Sequence, residues 1–201
     1  MLTQSPTPPL GVLKVTTDAA GWAKGSSCSS VGAGGICLDL DGKIGFACQT
    51  LWTCQSNTLL IDGKGKFLGS KTTTLELAGM LIPFLLFPEV LSGHHVILEV
   101  DNMGGVFGWN NGFCKEDNMA SIMIRCLVLL SAKLEIALHV QHLPRLSSWE
   151  ACLADRLSRL STTSMADRAL LSSFSAKPLP TAFAEWLAHP SEDWSLPLKL
   201  V

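Results

Sequence analysis

The chain has 201 residues, of which 47% are hydrophobic and 16% charged, and it carries a formal net charge of −2. This composition supplies enough apolar material for a core and excludes a largely disordered chain. The absence of a basic excess argues against a tight autonomous nucleic-acid binder, but it allows an enzyme that meets a nucleic-acid backbone through metal ions.

The cysteines and the apolar runs argue against a disulfide-rich, zinc-binding or membrane-spanning protein. Seven cysteines occur, an odd number with no C-x-x-C pair, and most fall inside apolar patterns. We therefore expect reduced thiols in an intracellular protein, with neither a disulfide framework nor a zinc site. The first residues show no secretory signal. The apolar run 77–91 is shorter than the ~20 residues needed to span a bilayer and contains two prolines, so it predicts a buried helix and no membrane partner.

The first third of the chain predicts three strands, over residues 12–18, 35–40 and 43–51. The segment "VLKVTTD" alternates in hydrophobicity and is rich in β-branched residues, so it predicts a strand that ends at Asp18. A Gly/Ser-rich loop is expected over 19–35. The dipeptide Asp41-Gly42 lies between two alternating runs and predicts a hairpin turn with positive φ at both turn positions.

The middle of the chain predicts a helix followed by a fourth strand. Threonines 72–74 offer an N-cap for the helix "LELAGMLIPFLLF", which Pro83 is expected to kink or end early. The segment "HHVILEVD" predicts a strand that ends at Asp101, and the Gly-rich connection 104–112 has room for a short helix.

The last part of the chain continues the alternation. Its predicted elements are a helix over 117–133 capped by Asp117, a strand over 134–142, a helix over 148–160, and short helices beyond. The order β-β-β-α-β-α-β-α is typical of a mixed sheet with helices on its faces. The sequence thus predicts a flexible lead-in (1–11), one domain (12–160), and a helical C-terminal tail or linker to a following domain (161–201).

Four acidic residues are placed so that they could meet at one end of this sheet. Asp18 and Asp101 end strands that would finish at the same edge if they are parallel neighbours, Glu76 lies in the first turn or so of the intervening helix, and Asp155 lies in the late helix. Carboxylates held together repel one another unless cations bind between them, and Mg²⁺ prefers carboxylate oxygen.

Each acid also has a simpler interpretation. Asp18 and Asp101 could face solvent, and Glu76 could be a favourable charge near a helix N-terminus. Asp155 could pair with Arg159 one helical turn later. Composition alone does not separate these interpretations from a metal site.

Four segments carry a resemblance to a known family. They are "VTTDAAGWA…GAGGICLDLDGKIGFACQ", "SKTTTLELAGML", "ILEVDNMGGVFGW" and "ALHVQHLPR…ACLADRLSR". In this order they resemble the ribonuclease H domain of retroelement polymerases, most of all those of Ty3-like and DIRS-like retrotransposons. The similarity runs from residue 12 to residue 160, and the closing "FAEWLAHPSEDWSLP" is similar to the segment that follows ribonuclease H in such polyproteins.

The resemblance implies a ribonuclease H-like fold, with a five-stranded mixed sheet of order 3-2-1-4-5 flanked by helices. It implies hydrolysis of the RNA strand of RNA–DNA hybrids, with a reverse-transcriptase domain or polyprotein as partner. Two Mg²⁺ ions, replaceable by Mn²⁺, would be held by Asp18, Glu76, Asp101 and Asp155. His142 falls where the family has a mobile histidine near the departing phosphate. The residues expected to contact the substrate are Asn102, Lys71 and Arg145.

The chain departs from the family pattern at several points. Ala20 and Ala151 replace a serine and an asparagine that are common there, and "LSSW" lengthens the spacing from His142 to Asp155. Two alternatives follow: an inactive ribonuclease H-like binding or assembly module, and a DNA nuclease or strand transferase of the same fold. The four acids argue against the first alternative, and the "LADRLSR" helix after "HLP" fits the second less well.

Overall fold

The computed structural model describes residues 9–23, 26–53, 60–115, 117–145, 147–176 and 179–188. The strands in these ranges are β1 (Val12–Ala19), β2 (Gly32–Asp39), β3 (Ile44–Leu51), β4 (His95–Val100) and β5 (Ala137–His142). The α-helices are α1 (Thr72–Leu86), α2 (Pro88–Leu91), α3 (Met103–Asn111), α4 (Asn118–Lys133), α5 (Trp149–Leu157), α6 (Met165–Ser172) and α7 (Thr181–Ala188).

The strands form a single mixed sheet in the order β3-β2-β1-β4-β5, which confirms the predicted order. β1 pairs antiparallel with β2, and β2 pairs antiparallel with β3. β1 runs parallel to β4, with Thr17 opposite Val100, and β4 runs parallel to β5. Asp18 is the next residue of β1 and Asp101 is the first residue after β4, so both lie at the same edge of the sheet.

Helices cover both faces of the sheet. α1 packs against β1, β2 and α4, and most of its side chains are buried in the main hydrophobic core. α5 covers the opposite face, where Leu153 and Leu157 pack with Ile36 and Leu38 of β2. The predicted buried helix in 77–91 is thus confirmed, as α1 and α2. Within the described ranges, none of the helices combines the length and the apolar character needed to cross a bilayer.

Two predictions about the first hairpin are wrong. Residues 32–35, assigned to a loop, begin β2, because β1 and β3 pair with them on both sides. The turn also differs, since Asp39 closes a longer loop by accepting hydrogen bonds from the backbone N–H groups of Asp41 (3.0 Å) and Lys43 (2.8 Å). Gly42 alone has positive φ in this turn, so Asp41 does not need it.

Three other features of the helix and strand ends differ from the predictions. Lys71, not a threonine, occupies the N-cap of α1, and Thr74 instead donates a hydrogen bond to Asp117 (2.8 Å). α1 does not end early at Pro83 but continues to Leu86. β5 begins at Ala137 and not at 134, because Glu135 has a left-handed backbone (φ 55°) that interrupts an extended strand. The predicted cap of α4 is confirmed, since Asp117 accepts from the Ala120 N–H.

The chain after α5 packs on the domain. Arg156 donates two hydrogen bonds to Asp167 (3.1 and 2.8 Å), and Ser164 and Asp167 form a capping box that fixes the start of α6. Phe183 and Trp186 of α7 are buried in the main core. Residues 1–8 of the predicted lead-in, residues 189–201 of the predicted tail, and Cys54 lie outside the described ranges. The other cysteines are free thiols.

Candidate active site

Three carboxylates meet at the edge of the sheet where β1 and β4 end. Asp18, Glu76 and Asp101 each offer an oxygen, and these oxygens all lie within 4.8 Å of one another. Asp18 is the penultimate residue of β1, and Asp101 directly follows β4. Glu76 lies in the second turn of α1, slightly deeper in the helix than expected. Both Asp18 and Glu76 are only 4% exposed.

A close approach between α1 and the sheet brings Glu76 into this group. Gly79, three residues after Glu76, faces Ala19 and Ala33 so closely that a Cβ on it would lie 3.2 Å from the Ala19 Cβ. Small residues at these positions let the helix axis come near the end of β1. The Ala19 backbone then forms a hydrogen bond with Glu76.

Asp155 lies beside the three carboxylates but outside the group itself. It lines the same small cavity as Asp18 and Asp101. Its Oδ1 accepts a hydrogen bond from Nη1 of Arg159 at 2.6 Å. The ion pair with Arg159, which the sequence offered as the simpler interpretation, is therefore present. The same oxygen lies 3.7 Å from Nη2 of Arg145. Asp155 therefore forms the rim of the site, within reach of both guanidinium groups.

Arg145 lies across the carboxylates. Its Nε donates to Asp101 Oδ2 at 2.9 Å, and its Nη2 donates to Asp18 Oδ1 at 3.2 Å. The sequence predicts Arg145 as a substrate contact, and sequence reasoning did not anticipate these ion pairs. The available signal was the charge balance: acids that converge at a sheet edge require a nearby cation, and Arg145 lies in the connection between β5 and α5 that borders this edge.

The electrostatics of the site favour a bound cation. Burial raises the pKa of Asp18, and it raises the pKa of Glu76 well above its ordinary value, with the Asp18 and Asp101 carboxylates raising the pKa of Glu76 further. Asp18 Oδ2 is buried and has no hydrogen-bond partner among the described residues. A buried carboxylate oxygen without a partner is costly, and a divalent cation coordinated by oxygen ligands would satisfy it. The donor set therefore fits Mg²⁺ or Mn²⁺.

The raised pKa of Glu76 predicts how the stability of the metal-free protein depends on pH. The unfolded chain ionises Glu76 at its ordinary value near 4.5, while the folded chain holds the proton to higher pH. The folded state therefore binds more protons above pH 4.5, and the free energy of unfolding should fall as pH rises toward the raised pKa. Urea unfolding in EDTA between about pH 5 and pH 8 should show this decline in the wild type and a flatter profile in Glu76→Gln.

The exposed Glu185 on α7 provides the control for this series. Glu185→Gln makes the same change of charge at the surface and should keep the wild-type pH profile. An unchanged profile in Glu76→Gln would show that this carboxylate does not hold a proton in the folded state.

The other predicted site residues lie around the cluster. His142 is the last residue of β5 and is exposed, and the carboxylate group does not include it. Asn102 caps α3 by accepting from the Gly105 N–H at 2.8 Å. Lys71 pairs with Asp117 at 3.3 Å. Asn102 thus orders the backbone just after Asp101, and Lys71 lies at the start of the helix that carries Glu76.

A buried polar network beneath the carboxylates was missed by sequence reasoning. Glu99 of β4 accepts hydrogen bonds from Thr16 and Gln141 at 3.0 Å each. Lys14 donates to Glu150 in the first turn of α5 at 2.8 Å. These contacts join β1, β4, β5 and α5, and so they help to position the helix that carries Asp155. The signal for this network in the sequence was the presence of polar residues inside the predicted strands.

A glycine in β2 sets the distance between the sheet and α5. Gly34 pairs with Asp18 across the sheet, and a Cβ on it would lie 2.5 Å from the Ala154 carbonyl oxygen and 2.5 Å from the Leu157 Cβ. The Gly-rich "GAGG" segment therefore has a packing role. Only the absence of a side chain at Gly34 lets α5 lie where it carries Asp155 to the cavity.

The comparison with solved structures identifies this architecture. LC11-RNase H1, isolated from compost by a metagenomic approach, matches with a TM-score of 0.51 and 16% identity, over 77% of this chain and 100% of that one. The chain has a ribonuclease H-like fold. The N-terminal RNase H domain of rv2228c from Mycobacterium tuberculosis also matches, with a TM-score of 0.45 and 13% identity, over 72% of this chain and 95% of that one. No protein-family model and no curated protein matches the chain.

Proposed function

We propose that this ribonuclease H-like domain is a metal-dependent endonuclease that hydrolyses the RNA strand of RNA–DNA hybrids. One observation carries the proposal: Asp18, Glu76 and Asp101 converge within 4.8 Å, and Asp18 keeps a buried oxygen free of hydrogen bonds. Arg145 supplies one positive charge against these carboxylates, and the repulsion that remains between them destabilises the fold. A site that binds divalent cations explains why three acids are held together.

The residues divide the catalytic work between them. Two Mg²⁺ ions, when bound, would supply the activation of a water nucleophile and the stabilisation of the leaving 3′ oxygen. Asp18, Glu76 and Asp101 would hold them at the strand ends, with Asp155 completing the set at the rim. His142, exposed at the end of β5, is the candidate for moving a proton near the departing phosphate.

Substrate recognition would depend on the nucleic-acid backbone. A hybrid presents a wide minor groove with 2′-hydroxyls on one strand, so contacts to phosphates and 2′-hydroxyls distinguish it without reading bases. The candidate contacts are Arg145, Asn102 and Lys71, which border the carboxylates or the elements that carry them. The formal net charge of −2 limits unspecific binding and leaves much of the affinity to the metal site.

A retroelement polymerase is the proposed origin of the domain. The support is the order of the motifs "VTTDAAGWA", "SKTTTLELAGML", "ILEVDN" and "LADRLSR" along the chain and the strands and helices on which they lie. On this proposal a reverse-transcriptase domain or polyprotein presents the hybrid to the site.

The proposal is tested with a panel of labelled substrates. In Mg²⁺ or Mn²⁺ we expect cleavage of the RNA strand of a hybrid to give 5′-phosphate ends, little cleavage of duplex RNA or single-stranded DNA, and none in EDTA. The specificity follows from 2′-hydroxyls on one strand combined with hybrid geometry on the other. Cleavage of single-stranded DNA would favour a DNA nuclease of the same fold, and metal binding without any cleavage would favour an inactive binding module.

A further inference from the structure

Arg145 connects three of the site's carboxylates through one guanidinium group. Nε contacts Asp101 Oδ2 at 2.9 Å, and Nη2 contacts Asp18 Oδ1 at 3.2 Å and lies 3.7 Å from Asp155 Oδ1. This geometry uses the planar fork of arginine, which a point charge such as lysine cannot reproduce. The guanidinium thus pairs with Asp18 and Asp101, two of the three carboxylates that would hold a divalent cation, and it places a positive charge beside them.

The position of Arg145 allows its side chain to leave. It belongs to the connection between β5 and α5, and 49% of its side chain is exposed. Exposed ion pairs contribute little each, because water and salt compete for both partners. The carboxylates differ in this respect: Asp18 and Glu76 are buried on β1 and α1 and are held in place. The fixed partner is therefore the acidic group, and the mobile partner is the arginine.

We propose that Arg145 is an internal cation that closes the carboxylate site in the metal-free protein and must withdraw for divalent cations to bind. We call this contact the Arg145 latch. It rests on the proposed function, since it regulates the same site. Arginine stays protonated at all physiological pH values, so the guanidinium keeps its charge. Competing charges open the latch: divalent cations at the acids, or phosphates that bind the guanidinium.

The latch links the two ligands of the site. A phosphodiester accepts paired hydrogen bonds from arginine and so can hold the guanidinium away from the acids. Removing this cation from Asp18 and Asp101 then leaves their oxygens to the metal. The latch thus assigns Arg145 two alternative partners, and it favours metal binding when nucleic acid is present.

The test measures Mn²⁺ binding to the full chain without nucleic acid, by the electron paramagnetic resonance signal of free Mn²⁺. Replacing the guanidinium by an amide in Arg145→Gln should tighten Mn²⁺ binding about fivefold to thirtyfold, because it removes contacts that together are worth about 1–2 kcal/mol. Arg145→Lys should give an intermediate gain, since its single charge cannot engage all the carboxylates at once.

Arg159→Gln is the matched control. It removes the same charge at the rim, but among the described site carboxylates Arg159 contacts Asp155 and no other. We expect a change of less than about threefold in Mn²⁺ affinity, in line with one exposed pair. Circular dichroism and thermal melts establish that all the variants fold.

The outcomes separate the latch from the proposed nuclease. Equal or weaker Mn²⁺ binding by Arg145→Gln overturns the latch, whatever the cleavage assay shows, and so does an equal gain in Arg159→Gln. Tighter binding by Arg145→Gln supports the latch. If that gain is found while no hybrid is cleaved by the wild type, the nuclease proposal fails and the latch stands as a property of the metal site.

Discussion

Replacing Asp101 with asparagine is expected to abolish hybrid cleavage, by at least about a thousandfold, while leaving the fold intact. An oxygen of Asp101 lies within 4.8 Å of oxygens of Asp18 and Glu76, and loss of its charge removes one of the residues that would hold the metal ions. Loss of several kcal/mol of charge stabilisation at the transition state corresponds to a rate effect of about this size. The measurement is the single-turnover cleavage rate of a labelled hybrid in Mg²⁺.

Asp101→Asn, which should abolish cleavage, is not expected to lower stability. Asp101→Asn removes repulsion among the carboxylates and also removes the ion pair with the half-exposed Arg145, which contributes little. The melting temperature in EDTA should therefore be unchanged or raised. The rise in melting temperature on adding Mn²⁺ should be lost, because the cation no longer binds the folded state strongly. A large fall in melting temperature in EDTA would contradict this account and indicate that Asp101 is a structural residue.

Asp41→Asn is the matched control for Asp101→Asn. Asp41 is exposed in the turn between β2 and β3, and the variant makes the same substitution away from the carboxylates. Both its cleavage rate and its metal-dependent rise in melting temperature should equal those of the wild type. A similar loss in both variants would point to a general effect of charge.

Replacing Gly34 with alanine is expected to damage both stability and the site. A Cβ at this position would lie 2.5 Å from the Ala154 carbonyl oxygen and from the Leu157 Cβ, so α5 must move outward. Overpacking of this kind costs about 1–3 kcal/mol in free energy of unfolding. Because α5 carries Asp155, cleavage should fall by more than the loss of folded protein explains. Urea unfolding and the cleavage rate of the folded fraction measure the two effects.

Gly45→Ala provides the comparison within the same sheet. Its Cβ would lie 3.4 Å from Cys37 Sγ, at ordinary contact distance, and its φ is not positive. This variant should be neutral or slightly more stable, because alanine restricts the unfolded chain more than glycine does. If Gly34→Ala unfolds like Gly45→Ala, α5 is not held by the close approach inferred here.

The local hydrophobic pattern was sufficient to predict the main strands and helices and their order along the chain. Alternation in "VLKVTTD" and "HHVILEVD" placed two strands with an acid at each end, and the observed parallel pairing of β1 and β4 brings those ends together. The predicted strand boundaries that are wrong depend on contacts with neighbouring strands. Residues 32–35 look like a loop by composition, yet they form a strand because β1 and β3 supply hydrogen bonds on both sides.

The fold class and the acids at the strand ends could be predicted from periodicity and motifs, which are local properties of the chain. The strand order was implied by the resemblance to a family. Three features appear in the packed structure alone: Glu76 reaches β1 through the close packing of Gly79, Gly34 admits α5, and Arg145 lies on the carboxylates. These contacts join residues far apart in the chain, and their distances depend on how helices and sheet pack, which no local pattern encodes.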